Sequence, residues 1–219
     1  MLDKDGVFIL EHADLYSIIK NNIYDTICHE HLCYFSSKVI IEMMNQNSLK
    51  VFKHEFNNIN GGSSRYFICH KNSNVRIHNS VKKVVTLEKK LGLDSLKNLR
   101  NFYKRISLEK NKLKKLITKI KKRNLKIHGY GASTKGNILL QYSNIGKKQI
   151  DFIADRNPLK YNLYTPGTKI KIISEKDSRF LKPDYFLVLP WHFKKEILIR
   201  EKKLREKGIK FIFPLPKVE

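Results

Sequence analysis

The 219-residue chain is poor in acids, in cysteine and in tryptophan. Its three cysteines, Cys28, Cys33 and Cys69, are odd in number and never stand as CxxC. That implies neither a disulfide framework nor a cysteine zinc site, and no metal is expected. No stretch approaches the roughly 18 to 20 consecutive apolar residues of a membrane span. The opening residues also lack the basic-then-apolar order of an export signal. These absences lead us to expect a cytoplasmic protein without membrane contact.

Negative charge is the largest deficit: 20 acids face 44 Lys and Arg, a formal charge of +24. Such an excess can neutralise phosphates and bind nucleic acid by counterion release. The distribution argues for a solvated surface instead, because residues 81–126 hold 17 Lys or Arg against three acids and lysine outnumbers arginine. No nucleic-acid-binding motif accompanies the charge, so nucleic acid is not the expected partner. A small anionic substrate, such as a nucleotide diphosphate, would gain from the same field.

Hydrophobic patterning gives the order of elements. Gly6-Val-Phe-Ile-Leu-Glu11 reads as a short buried strand, and residues 38–47, after the capping serines Ser36 and Ser37, read as a helix. Residues 49–56 and 64–69 flank a turn-rich Asn/Gly segment and read as an antiparallel pair. Residues 80–122 read as two basic helices parted near Gly92, with one apolar stripe of Phe102, Ile106, Leu113, Leu116, Ile117 and Ile120. Beyond them come a strand, a glycine turn and a helix over 125–142, then strands at 150–154 and 185–189. A helix over 193–207 and a last strand at 210–213 follow. Apolar strands alternating with helices imply a parallel sheet covered on both faces. The expected fold is therefore α/β, with a Rossmann-like domain over 124–219, a basic helical linker over 80–123 and part of another α/β domain over 1–79.

Three constellations could carry chemistry. The turn Gly129-Tyr-Gly-Ala-Ser-Thr-Lys-Gly-Asn137 puts small residues where a strand passes into a helix, where backbone N–H groups can hold a phosphate. Lys135 adds a charge, and Asp155 ends the next strand, where such domains keep an acid for a ribose hydroxyl. The spacing is GxGxxxxG rather than GxGxxG, and a turn of this kind also serves close packing of helix on strand. His29-Glu30-His31 places two imidazoles around a carboxylate, a pattern suited to proton transfer but equally to an ordinary polar loop. Asn60-Gly-Gly-Ser-Ser-Arg65 could bring its backbone and Arg65 to an anion, or could simply be a turn. Trp191 lies just past a strand's carboxyl end, where either a ligand contact or plain packing is possible.

The blocks 6–11, 24–36, 61–65, 129–137, 151–158, 164–168 and 183–193 come in the order found in the sugar C-methyltransferases of deoxysugar biosynthesis, and the chain resembles that family over nearly its whole length. The resemblance implies an S-adenosylmethionine-dependent enzyme acting on a nucleotide-linked 4-keto sugar. Members have a zinc module, a class I methyltransferase domain and a Rossmann-like C-terminal domain. The zinc module and the donor-binding glycine motif have no counterpart here, so residues 1–79 would be the tail of the methyltransferase domain. A separately encoded chain binding zinc and S-adenosylmethionine is then a possible partner. The alternatives are a nucleotide-sugar-binding module without activity, or a decayed fragment.

By the same resemblance His31 is the base that removes the proton next to the ketone, assisted by Glu30 and His29. Gly129, Tyr130, Gly131, Ala132, Ser133, Lys135, Asn137, Asp155, Arg156 and Arg65 are expected to bind substrate. Cys28 stands where the family commonly has tyrosine, which removes a phenolic donor to the ketone oxygen.

Overall fold

A computed structural model describes residues 2–219, which divide into two compact units. The first comprises the chain up to Ile23 together with His29–Tyr103. The second comprises Tyr24–Cys28 and Lys104–Glu219, so a five-residue piece of the early chain belongs to the later unit.

In the first unit β1 (Phe8–His12), β2 (Leu49–Asn57) and β3 (Ser63–His70) form an antiparallel sheet in the order β1-β3-β2. The β2–β3 pair joins Leu49 to His70 and Asn57 to Ser63, the antiparallel pair expected of two strand-like segments around an Asn/Gly-rich turn. Around the sheet lie α1 (Leu15–Asn21), α2 (Ser37–Gln46) and α3 (Asn79–Leu91). Ile40, Val51, Tyr66, Ile68 and Val81 make its core. Helix α2 starts where its N-cap Ser36 accepts from Val39 N–H at 3.3 Å. Its first free amides are met from outside the helix. The buried Glu88 of α3 accepts from the N–H groups of Ser37 and Lys38.

One edge of this sheet is open. Among the described residues strand β1 pairs with β3 alone, and Val7, Phe8 and Ile9 are 48, 41 and 53% exposed. Neighbouring residues in a strand point to opposite faces, so apolar side chains at Phe8 and Ile9 leave both faces uncovered there.

Helix α4 (Leu96–Lys121) runs from the first unit into the second. Of its expected stripe Phe102, Ile106, Leu113, Ile117 and Ile120 are buried and Leu116 is half-buried, while most intervening lysines are exposed. The second unit is built on five parallel strands, β4 (Ile127–Tyr130), β5 (Phe152–Asp155), β6 (Ile172–Ser174), β7 (Tyr185–Val188) and β8 (Lys210–Ile212). They lie in the order β6-β5-β4-β7-β8, the Rossmann-like arrangement expected. The chain runs outward from β4 through β5 to β6, then returns to the other side of β4 to begin β7. The strand order therefore reverses between β4 and β7, the place where open α/β sheets leave a crevice at the strands' carboxyl ends.

Helix α5 (Thr134–Tyr142) follows β4, and α6 (Glu175–Phe180) follows β6. The helix expected over 193–207 is broken into a 3-10 turn, Trp191–Phe193, then α7 (Lys194–Arg200) and α8 (Lys202–Glu206). The break falls at Glu201, whose buried carboxylate is drawn into an ion network described below. Among the described residues no helix is long and apolar enough to cross a membrane.

Candidate functional site

At the reversal point the carboxyl ends of β4, β5 and β7 surround a cavity of about 410 Å³ lined by Tyr130, Gly131, Asp155, Arg156, Pro190 and Arg200, among others. Gly131 has φ +81°, and a Cβ there would lie 2.9 Å from the Pro190 ring. Only glycine fits this turn without strain. Gly136 matters for packing instead. A Cβ there would meet Leu189 Cβ at 2.7 Å, so its bare backbone lets α5 press against the end of β7. Close packing is thus seen at Gly136, while the N–H groups of Gly131, Ala132, Gly136 and Asn137 are all taken by bonds within the chain.

Asp155 fixes the turn. Its Oδ2 accepts from Ala132 N–H at 2.7 Å and its Oδ1 from Asn157 N–H at 2.7 Å, with Lys160 Nζ 3.4 Å from Oδ2. Ser133 caps α5 by accepting from Gly136 N–H at 3.1 Å, and Asn137 N–H bonds to Ser133 O. Arg156, next to Asp155, is exposed at the cavity, and its guanidinium forms no ion pair among the described residues. The structure thus brings Tyr130, Gly131, Asp155 and Arg156 to one crevice, while Gly129 is buried within β4 and Ala132 is held by Asp155 without lining the crevice.

Beneath the cavity lies a charged network that the sequence did not reveal. Tyr130 O–H donates to Glu201 Oε1 at 2.8 Å, and the same carboxylate accepts from Arg179 at 3.0 and 3.1 Å and from Arg200 Nε at 2.9 Å. Arg200 also reaches Tyr130 and Glu175. Burial, and then the neighbouring Glu201 carboxylate, raise the Tyr130 hydroxyl above the usual phenol range. It therefore serves as a neutral donor that holds a carboxylate between two arginines.

A second cluster involves the early segment that joins this unit. The 3-10 turn Tyr24–Thr26 is buried, and Asp25 Oδ2 accepts from Trp191 Nε1 at 2.7 Å. Burial raises the Asp25 carboxyl, opposed by the Trp191 bond and the charge of Lys135. Burial lowers the Lys135 ammonium, opposed by Asp25 and Cys28. His192 is lowered to about 4, first by burial and then by the Lys135 charge. Trp191 is thus a hydrogen-bond donor as well as a packed ring. Asp25 escaped sequence reasoning because its partner is 166 residues away.

In the first unit His29, Glu30 and His31 are all exposed. His29 Nε2 lies 4.0 Å from Glu30 Oε1, and the His31 ring meets Tyr34 edge to face at 6.5 Å between centroids. Arg65 lies on β3, where its Nε donates to Glu11 Oε2 at 2.6 Å across the β1–β3 pair. That ion pair gives Arg65 a partner within its own sheet.

Residues 58–216 match a family described as the C-methyltransferase C-terminal domain. The chain belongs to the C-methyltransferase family. It is also 31% identical, over 216 residues and 99% of its length, to the C-methyltransferase NovU of Streptomyces niveus. That alignment takes in 51% of the relative, so the chain spans about half the length of this C-methyltransferase. The family match covers the whole of the second unit's sheet, with its crevice, and strand β3 of the first.

Proposed function

We propose that this chain carries the substrate side of methyl transfer from S-adenosylmethionine to a carbon of a nucleotide-linked 4-keto deoxysugar in the cytoplasm. The observation that carries the reading is the open crevice at the strand-order reversal, lined within the family-matched region by Tyr130, Gly131, Arg156 and Arg200. Its exposed guanidinium at Arg156 suits a diphosphate, and the net charge of +24 raises the local concentration of such an anion. Ala132, Ser133, Lys135 and Asn137 complete the turn on which the nucleotide would rest, and Asp155 holds that turn in shape. Arg65, already paired with Glu11, is the weakest of the binding assignments.

The chemistry asked of the chain is removal of a proton from the carbon beside the ketone. His31 takes that proton, the C–H electron pair moves into the enolate and the ketone oxygen gains the charge. Glu30 and His29 assist by orienting and tuning the base. S-adenosylmethionine, when bound, supplies the methyl cation equivalent that the enolate carbon accepts. Cys28 offers the oxyanion a weaker donor than a phenol would.

The first unit reads as the later part of a class I methyltransferase sheet, followed by basic helices. On this reading the open edge of β1 receives the donor-binding half of the enzyme, whether that half is contiguous with this chain or a separate polypeptide. The exposure of residues 29–31 favours a second reading, a nucleotide-sugar-binding module with no chemistry of its own.

Proton abstraction needs no methyl donor, so it can be tested directly. The chain is incubated in D2O with a dTDP-4-keto-6-deoxy sugar, and deuterium uptake beside the ketone is followed by mass spectrometry. Catalysed uptake that His31→Gln abolishes is the expected result. Binding without catalysed uptake would select the non-catalytic module.

A further inference from the structure

The turn Tyr24–Thr26 is attached to the C-terminal unit at several points. The Tyr24 and Tyr142 rings lie 4.9 Å apart between centroids. Asp25, with no solvent exposure, accepts the indole N–H of the chain's one tryptophan at 2.7 Å and faces the charge of Lys135 from the first turn of α5. Burying a carboxylate is unfavourable unless specific partners compensate it. A turn that merely filled space would be served better by leucine or asparagine. The acid is therefore a device for holding this turn in place, at the expense of burying a charge.

What it holds is informative. Trp191 follows β7 and Lys135 follows β4, so the two partners of Asp25 come from the two strands between which the strand order reverses. Cys28 is the last residue of the anchored segment, and His29 is the next residue in the chain. We infer that Asp25 is a positioning residue for the proposed proton abstraction: its bond to Trp191, seconded by Lys135, fixes the segment 24–28 from which the His-Glu-His trio departs. This inference rests on His31 being the base.

The test compares the full-length chain with Asp25→Ala, Trp191→Phe and Asp25→Asn, the last retaining a side-chain acceptor for the indole N–H. Two readouts are taken: amide hydrogen exchange resolved by peptide, and the D2O-dependent exchange beside the ketone. Asp25→Ala and Trp191→Phe are expected to speed amide exchange at least tenfold over residues 27–34 while the sheet β4–β8 stays protected. They should lower the turnover of ketone exchange at least tenfold with KM within twofold. Asp25→Asn should recover most of both. Unchanged protection over 27–34, or a uniform loss of protection along the chain, would overturn the inference, the second by marking Asp25 as a stability residue only. If the unaltered chain exchanges no ketone proton, the assignment of His31 fails, and amide exchange alone then decides whether Asp25 anchors the segment.

Discussion

Asp155 Oδ2 accepts the backbone N–H of Ala132 at 2.7 Å, tying the end of β5 to the turn after β4. An acid at this point of a Rossmann-like domain invites a ribose-binding role, yet here its carboxylate also accepts from Asn157 N–H and so braces the turn from two sides. Whatever it offers a ligand comes in addition to that bracing.

Asp155→Ala should therefore act first on stability. Losing hydrogen bonds to a charged acceptor costs about 1.5–3 kcal/mol, and urea unfolding should show a loss in that range. Asp155→Asn, which keeps an acceptor, should lose less. Equal losses for both substitutions would mean that the charge, with Lys160 beside it, matters more than the backbone bonds.

Arg156 gives the contrasting case. It is exposed and makes no ion pair among the described residues, so Arg156→Ala should change stability by no more than about 0.5 kcal/mol. Its effect should instead appear in dTDP affinity measured by calorimetry, as a loss of about tenfold, the scale of one charge-assisted hydrogen bond of about 1.5 kcal/mol. Affinity within twofold of the unaltered chain would remove Arg156 from the binding set.

Gly131→Ala should destabilise by about 1–3 kcal/mol, combining a left-handed backbone with contact against Pro190. Chemical denaturation of the variant checks the figure. No loss would show that the turn relaxes to accept a side chain.

Most of the architecture was legible because it is local. Strand, glycine turn and helix are adjacent over 127–142, and the β2–β3 pair is closed by a short connection rich in asparagine and glycine. Strand β6 was missed because three residues show no period, and α1 because seven residues barely make two turns. The break at Glu201 and the role of Asp25 were illegible for a different reason. Both depend on partners from distant parts of the chain, which no window of sequence contains.

Stability should also depend on pH. His54 and His128 are buried and lowered to about 4, in each case chiefly by burial. A histidine depressed when folded binds its proton more readily when unfolded, so stability is retained above the unfolded value near 6.5 and falls as pH drops toward 4. The raised Asp25 carboxyl works in the opposite direction, favouring the folded state on acidification. With His192 lowered likewise, three histidines stand against one acid, and urea midpoints should fall between pH 7 and pH 5. A midpoint that rises over this interval would contradict the assignment of His54, His128 and His192 as neutral in the folded chain.

The open edge at β1 makes self-association a risk, because an unpaired strand with apolar faces templates further pairing. Ile9→Lys should shift the chain toward monomer in size-exclusion chromatography. A chain that is monomeric without the substitution would show that the edge is tolerated in solution.

The central claim, that the chain holds the substrate side of the reaction and not the donor side, is tested most directly by thermal shift. The purified chain is titrated in parallel with dTDP, a dTDP-4-keto-6-deoxy sugar and S-adenosylmethionine. The expected result is stabilisation by both nucleotides and none by S-adenosylmethionine. Stabilisation by S-adenosylmethionine alone would contradict the claim, and silence toward all three would leave a chain that binds neither side of the reaction.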